Sequence, residues 1–323
     1  MKNVKIKTIF QSLGLVVFVY ILFQIDYNIF FKEALLLKWH FLIIAAIIMI
    51  AEIVVKSLRW RCVLSALGIF ISTSSALSLQ WLGFFLGVVT PGRIGELIKV
   101  YFLKDQGHSV FRSFFSVILD RIIDIFILLL LATLIFFFFL PEIGVYLVIF
   151  GAMLLIPIIF IFLLIDQRSY LHRVFGKLIK KLIPFDFNDY NRFDFNKFWQ
   201  GIRNLKRGDT ISFFVYLVAG WFFYFAARYF IALSMGLELS FVDVATISVL
   251  VAIVSILPIS IAGLGTREIT VIYLFGLFNI NKETALLFSL LIFTIDLIIT
   301  SLGLIPYLKE SLLINRVKKY EFK

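Results

Sequence analysis

The chain is poor in the residues that build metal and redox sites. It contains one cysteine, Cys62, and three histidines that are scattered without ligand spacing. A single cysteine excludes an internal disulfide framework and a multi-cysteine metal site. No Gly-x-x-x-x-Gly-Lys-[Ser/Thr] sequence occurs, so no phosphate-binding loop is visible as an energy source. The sequence therefore predicts neither a metal nor a cofactor.

Charged residues are also scarce, at 16% of the chain, against 62% hydrophobic and 17% aromatic residues. The mean hydropathy is +1.03. A soluble domain of 323 residues would need more polar surface than this. Several apolar runs reach or approach the roughly 20 residues that span a bilayer as a helix. We therefore expect an all-α polytopic membrane protein, with residues 1–323 forming one integral-membrane domain.

The charges that are present have a clear sign and position. The net charge is +11, but no basic–aromatic motif of a nucleic-acid-binding module occurs, so we expect no nucleic-acid partner. The polar loop 166–210 carries ten lysines and arginines against five aspartates. Clustered basic residues mark the cytoplasmic face and its anionic lipids. We expect this loop to lie on the inner leaflet of the cytoplasmic membrane, with both termini in the cytoplasm.

The first two spans follow from the same reasoning. The run from about Ile9 to Ile25 lacks a small-residue cleavage site after it, so we interpret it as an uncleaved span and not a signal peptide. Residues 26–38 then form a short external loop. The second span, from about Trp39 to Leu58, ends in Lys56, Arg59 and Arg61, a pattern typical of the cytoplasmic side.

A broken, charged segment follows in residues 83–104. Proline at position 91 lacks an N–H group and disfavours helical geometry at Thr90, so a helix should end there. The two following glycines allow the backbone to turn and pack closely. A new helix beyond the break would present N–H groups suited to an anion. The candidate site residues of this segment are Pro91, Gly92, Arg93, Gly95 and Glu96.

The second half of the chain repeats this order. A short apolar arm, 244–257, again precedes a proline, and glycine, arginine and glutamate follow within ten residues. The candidate residues there are Pro258, Gly263, Gly265, Arg267 and Glu268. We interpret 38–140 and 211–307 as an inverted-topology repeat, which in transporters points to a substrate site at the bilayer midplane. This predicts about six full spans plus two re-entrant helical hairpins. The alternative is eight full spans.

Other charged residues fall inside the predicted spans. Each half has an arginine late in a span and an aspartate after the break, and the long helix 114–140 is charged near its start. These candidates are Arg59, Arg61, Asp120, Arg121, Asp124, Arg228 and Asp296. A charge at the bilayer centre costs about 2.5–3.5 kcal/mol on insertion scales. Bland alternatives stay open: snorkelling topology markers at Arg59 and Arg61, a structural Asp120–Arg121 pair, and an Arg228–Asp296 pair across helices.

Four motifs carry a family resemblance: RWRCVL at 59–64, TPGRIGELIKVY at 90–101, LDRIIDIF at 119–126 and LPISIAGLGTREI at 257–269. They resemble the flippase-like transmembrane domain of lysylphosphatidylglycerol synthases, a family with stand-alone members. In the two-domain synthases a soluble C-terminal domain makes aminoacyl-phosphatidylglycerol. The sequence ends at Lys323, so we do not expect that activity here. The resemblance implies translocation of a lipid or a related step on a lipid-linked substrate.

The chemistry of the candidate residues suits that implication. Guanidinium groups match phosphate in a fork geometry, and acidic residues could hold those arginines in the empty site or meet a cationic head group. The expected substrate is an anionic or aminoacylated phospholipid, or a polyprenyl-phosphate-linked lipid. Two alternatives remain: an integral-membrane enzyme with an acidic general base such as Glu96 or Asp124, and an accessory subunit docked through loop 166–210.

Overall fold

The computed structural model of the chain describes residues 14–139, 207–256, 260 and 263–305. All regular elements in these ranges are helical. The α-helices are α1 Gly14–Gln24, α2 Tyr27–Leu35, α3 Trp39–Ala66, α4 Thr73–Val89, α5 Ile98–Asp105, α6 Val110–Phe139, α7 Arg207–Ser234, α8 Phe241–Ile256, α9 Thr266–Gly276 and α10 Lys282–Ser301, and a 3-10 helix covers Pro91–Leu97. Pro258, the predicted span 145–165 and almost all of loop 166–210 lie outside the described residues.

Three of these helices are long and apolar enough to cross a membrane: α3, the Asp209–Ser234 part of α7, and α10. The number rises to four if α1 and α2, which are bent by 89° at their junction, count as one span. Helix α6 has 30 residues but carries three charged residues within five positions. The prediction of an all-α polytopic membrane protein is confirmed. The number of full spans and the inverted repeat stay predictions.

The described residues fall into two compact units. Unit 1 contains the described residues up to Arg59, then Ser72–Ile98, and the described residues from Phe213 onward. Unit 2 contains Trp60–Ile71 and the described residues from Lys99 to Ser212. Helices α1, α2, α4, α8, α9 and α10 lie wholly in unit 1, as does most of α3 and α7. Nearly all the candidate residues of the two broken segments therefore belong to the same unit.

The core of unit 1 is apolar and connects helices that are distant in the sequence. One cluster joins Ala45 of α3, Ile231 of α7, Val271 and Phe275 of α9, and Phe288 of α10, all buried. The Phe275 and Phe288 rings pack with centroids 5.0 Å apart. Because α10 packs on both α4 and α9, it is the element that holds the helices of the two broken segments in one unit.

The interpretation of residues 26–38 as a loop is wrong, because α2 occupies most of it. The Asp26 carboxylate accepts hydrogen bonds from the N–H groups of Asn28 and Ile29 and so caps the new helix. An aspartate at this position satisfies N–H groups that the first turn leaves without partners. The sequence of this stretch thus contains an ordinary helix start.

Candidate functional site

The first broken segment is held together by Thr90. Helix α4 ends at Val89, and Thr90 takes an extended conformation before Pro91, as the proline predicts. The Thr90 hydroxyl donates to the Leu86 carbonyl at 2.6 Å and accepts from the Gly95 N–H at 2.8 Å. It thus ties the end of α4 to the 3-10 helix that follows. The sequence gives Thr90 as the end of a helix, but its bridging role depends on the turn and could not be read from the pattern.

Glycines let the chain double back over this break. A Cβ at Gly95 would overlap the Leu86 carbonyl group and lie 2.8 Å from Leu86 Cβ. A Cβ at Gly87 would lie 3.0 Å from Glu96 Cγ. The Glu96 side chain therefore fills space that a glycine leaves open on α4, and its residue is 1% exposed. The prediction that a glycine after the break permits close packing is confirmed at Gly95.

Arg93 has the opposite environment, because it is exposed and backbone-strained. Gly92 and Arg93 have φ values of 62° and 56°, in the left-handed region. That conformation costs a residue with a Cβ about 1–2 kcal/mol. No hydrogen bond or ion pair from the described residues engages the Arg93 guanidinium. The expected α-helical N-terminus is also absent directly after the break, since a 3-10 helix precedes α5. Residues with a strained backbone conformation cluster at functional sites.

The second broken segment is built around two glycines with positive φ, Gly263 at 76° and Gly265 at 85°. A Cβ at Gly265 would overlap the Gly14 carbonyl group of α1, so only glycine fits there. The Gly265 N–H donates to the Glu268 carboxylate at 2.6 Å. Glu268 thereby satisfies an N–H group at the start of α9.

Arg267 and Glu268 form a buried pair with Ser289 of α10. The Arg267 Nε donates to Glu268 Oε1 at 3.0 Å and to the Ser289 hydroxyl at 2.8 Å. The Arg267 guanidinium also lies over the Phe293 ring, 4.8 Å from its centroid. Both charged residues are at most 7% exposed. The sequence named both residues as candidates without pairing them, and Ser289 is a member that the sequence did not indicate.

A second charged cluster joins α3, α7 and α10, the three helices that are long and apolar enough to cross a membrane among the described residues. Glu52 and Lys56 come from α3, Arg228 from α7 and Asp296 from α10. Lys56 Nζ lies 2.6 Å from Glu52 Oε1. Arg228 Nη1 lies 3.5 Å from Glu52 Oε2. Its other terminal nitrogen, Nη2, lies 3.7 Å from Asp296 Oδ2. Two cations and two carboxylates make the cluster formally neutral, and the Arg228–Asp296 pairing foreseen in the sequence is present.

Aromatic rings surround the cations of this cluster. Lys56 Nζ lies over the rings of Phe84, Trp221 and Tyr224, 5.4 to 5.8 Å from their centroids. The Arg228 guanidinium lies 3.5 Å from the Tyr224 centroid and donates to the Tyr224 carbonyl at 2.9 Å. Ring faces attract cations that have lost their water. Lys56 is therefore a buried member of the cluster, while its position on the cytoplasmic side stays a prediction.

Asp296 is the most exposed member of this cluster. Its carboxylate lies 3.7 Å from Arg228 Nη2, and the charges of Glu52, Arg267 and Arg93 act on it more weakly. The Asp296 side chain is 30% exposed, more than the other members of its cluster. Asp296 is thus the partly exposed carboxylate of a charged cluster that lies within unit 1.

Of the remaining sequence candidates among the described residues, only Arg59 belongs to unit 1. Within unit 2, Arg121 Nη1 lies 3.7 Å from Asp124 Oδ2, one turn along α6, while Asp120 is fully buried. Arg61 is exposed and donates to the Ile71 carbonyl at 3.2 Å. Arg59, in unit 1, is 1% exposed, which is not the position of a snorkelling side chain. The described residues contain no group of three or more potential metal ligands.

Long apolar helices carrying buried, paired charges define the class: this is a multi-pass membrane protein. The chain belongs to the family described as the lysylphosphatidylglycerol synthase TM region, whose model matches residues 9–303. The family description connects it with membrane lipids, and the resemblance in the four motifs is confirmed. No solved structure matches the chain.

Curated relatives come from archaea. A UPF0104 membrane protein of Pyrococcus horikoshii is 26% identical over 278 residues, covering 78% of this chain and 81% of that protein. One from Methanocaldococcus jannaschii is 26% identical over 273 residues, covering 78% and 79%. A third, from Archaeoglobus fulgidus, is 25% identical over 267 residues, covering 75% and 77%. Their names give no reaction.

Proposed function

We propose that this protein is a lipid translocator that moves lipids with an anionic phosphate head group between the leaflets of the cytoplasmic membrane. The observation that carries the proposal is the cluster of Glu52, Lys56, Arg228 and Asp296, which joins charges from three candidate spans. The family's connection with an aminoacylated phospholipid synthase supports a lipid substrate. Both termini are placed in the cytoplasm in this proposal.

Energetics support a functional role for these charges. Helices α3, α7 and α10 are each long and apolar enough to cross a bilayer, yet together they bury Glu52, Lys56 and Arg228 next to Asp296. Each isolated charge near the bilayer centre costs about 2.5–3.5 kcal/mol. Mutual pairing offsets that cost when no substrate is present. An arriving phosphate competes with the carboxylates for the same guanidinium groups.

Arg93 is the group best suited to first contact with the lipid. Its guanidinium is exposed and forms no hydrogen bond or ion pair with a described residue, so a phosphate has no such described contact to displace there. A guanidinium can donate two parallel hydrogen bonds to a phosphate, which a lysine cannot reproduce. Arg228 and Arg267 are already paired with carboxylates. They therefore bind a phosphate only if it replaces a carboxylate partner. Asp296, whose side chain is 30% exposed, is the carboxylate that Arg228 can release.

The substrate class follows from this charge arrangement. A phosphate head group on apolar chains satisfies the arginines and stays compatible with the surrounding apolar helices. Phospholipids, aminoacylated phospholipids and polyprenyl-phosphate-linked lipids all share this chemistry. Anionic lipids of the inner leaflet are the proposed partners of the basic loop 166–210.

The test is transbilayer movement of head-group-labelled lipids in liposomes that contain the purified protein. Anionic, zwitterionic, lysyl-bearing and polyprenyl-phosphate lipids are compared for the wild type, Arg93→Ala and Arg93→Lys. Lys32→Ala is the matched control, because Lys32 is also an exposed cation but lies on α2, away from the break. We expect movement of phosphate-bearing lipids that Arg93→Ala abolishes, Arg93→Lys weakens and Lys32→Ala leaves unchanged.

Two results would contradict the proposal. Equal rates of lipid movement for Arg93→Ala and the wild type would show that Arg93 and its broken segment are not needed for translocation. No movement of any lipid by folded wild-type protein would favour an enzyme acting on a lipid phosphate or an accessory subunit. Folding of each variant is checked by size-exclusion chromatography in the same detergent.

A further inference from the structure

Helix α2 is attached across the start of α10. The Asp26 N–H donates to Glu283 Oε1 at 3.1 Å, and Lys282 Nζ donates to the Gln24 carbonyl. From α2 itself, the Glu33 carboxylate accepts hydrogen bonds from the Asn281 amide at 3.2 Å and from the Thr284 hydroxyl. Both ends of α2 are therefore tied to the first residues of α10, and all these groups lie in unit 1.

The same helix is tied by connectivity to the start of α3. Helix α2 ends at Leu35 and α3 begins at Trp39, a 28-residue candidate span. Four residues of chain reach at most about 14 Å. Trp39 is 67% exposed, and tryptophan at the end of a span is typical of the membrane–water interface. Since α3 and α10 both begin beside α2, this helix lies at the level where two spans begin.

Helix α2 runs nearly at right angles to α1, as expected for a helix that lies across the ends of membrane spans. It is bent by 89° from α1, so it does not continue the path of the preceding apolar helix. Phe30 and Ala34 on its inner side pack against the apolar cluster of unit 1. The inner face is therefore occupied by the protein, and the helix lies flat across the ends of its neighbours.

The outer face of α2 carries an apolar stripe. Tyr27, Phe31 and Leu35 are spaced four residues apart, so they form one line along the helix. They are 51%, 61% and 85% exposed. Lys32 lies beside the stripe and is also exposed. An apolar line next to a lysine that can extend toward the head groups is the arrangement of helices that lie in the plane of a bilayer surface.

We propose that α2 is an interfacial helix, with Tyr27, Phe31 and Leu35 immersed at the boundary between head groups and acyl chains. Its occupant is the lipid of the leaflet at which α3 and α10 begin. The helix anchors the ends of those two spans at a fixed depth, so the start of α10 is held to the bilayer surface through Glu33 and Asp26. This inference does not depend on lipid translocation.

The test measures depth in proteoliposomes with single-cysteine variants. Cys62→Ala removes the one natural cysteine, and Phe31→Cys or Leu35→Cys then carries an environment-sensitive fluorophore. Lys32→Cys is the control on the same helix. Quenching by nitroxide lipids labelled near the head group, by lipids labelled near the bilayer midplane, and by aqueous iodide is compared. Exposed positions are used so that labelling does not disturb the core.

We expect the Phe31 and Leu35 probes to be quenched most by the shallow nitroxide and little by iodide, with the Lys32 probe more sensitive to iodide. Equal iodide quenching at all three positions would show that the stripe faces water and overturn the proposal. Strongest quenching from the midplane label would show a membrane-spanning segment instead. Protection from all three quenchers would assign the stripe to a protein partner, which also overturns it.

Discussion

Replacing Arg228 tests whether the buried charges of α3, α7 and α10 are held by mutual pairing. The cluster of Glu52, Lys56, Arg228 and Asp296 is formally neutral. Arg228→Met gives it a net charge of −1, since methionine fills similar space without a charge. Glu52 keeps Lys56 at 2.6 Å, but Asp296 loses its partner at 3.7 Å. The double variant Arg228→Met/Asp296→Asn restores neutrality while leaving the arginine absent.

The magnitude follows from burial. Removing one partner of a buried ion pair costs about 3–5 kcal/mol, because the other charge stays buried without compensation. The Asp296 side chain is 30% exposed, so we expect the lower end, about 3 kcal/mol. Loss of the Arg228 contact with the Tyr224 ring adds up to about 2 kcal/mol. The double variant removes the uncompensated carboxylate, so it should recover about 2 kcal/mol relative to Arg228→Met.

The assay is reversible unfolding in mixed micelles, with the free energy of unfolding measured for the wild type, both variants and Lys32→Met. The last variant removes an exposed cation and should change stability by no more than about 0.5 kcal/mol. A double variant that is no more stable than Arg228→Met would refute the reasoning. It would show that the arginine contributes through packing or hydrogen bonding and not through the charge of Asp296.

Three further predictions concern the broken segments. Gly95→Ala should destabilise the protein by about 1–3 kcal/mol, the usual cost of overpacking, because its Cβ would overlap the Leu86 carbonyl; an unfolding titration that shows no change would contradict that contact. Arg93→Gly should exceed Arg93→Ala in free energy of unfolding by up to about 1–2 kcal/mol, since glycine adopts the left-handed conformation without strain. A lower stability for Arg93→Gly would show that the backbone at this position is not strained. Gly265→Ala should lower thermal stability in detergent by loosening α1, because the added methyl would overlap the Gly14 carbonyl; unchanged proteolytic protection of the α1 region would argue against that packing.

Much of the local structure could be predicted from single residues. Proline fixes its own φ and restricts the residue before it, so the break at Pro91 is local chemistry and was predicted. That a glycine after the break allows close packing was predicted from its missing Cβ, and the packing partner of Gly95, Leu86, came only from the structure. The membrane class followed from apolar length, since backbone polar groups in lipid must be satisfied within helices.

The roles of Thr90, Lys56 and Ser289 could not be predicted in this way. Each acts through a partner that only folding brings near: a carbonyl across a tight turn, aromatic rings on another helix, or an arginine 22 positions away. The burial of Lys56 could not be predicted, because its sequence neighbours are basic and the aromatic rings around it are distant in the chain. Helix α2 was missed because residues 26–38 were interpreted only as a loop, and the capping role of Asp26 was not considered.

By itself, the sequence determined that the chain crosses a membrane as helices, that α4 ends before Pro91, and which rare charges lie in apolar stretches. These depend on composition and on backbone restrictions that act within a few residues. Only the tertiary structure decided that Arg228 meets both Glu52 and Asp296, and that Arg267 binds both Glu268 and Ser289. Pairing across helices depends on packing over long sequence separations, which no local pattern specifies.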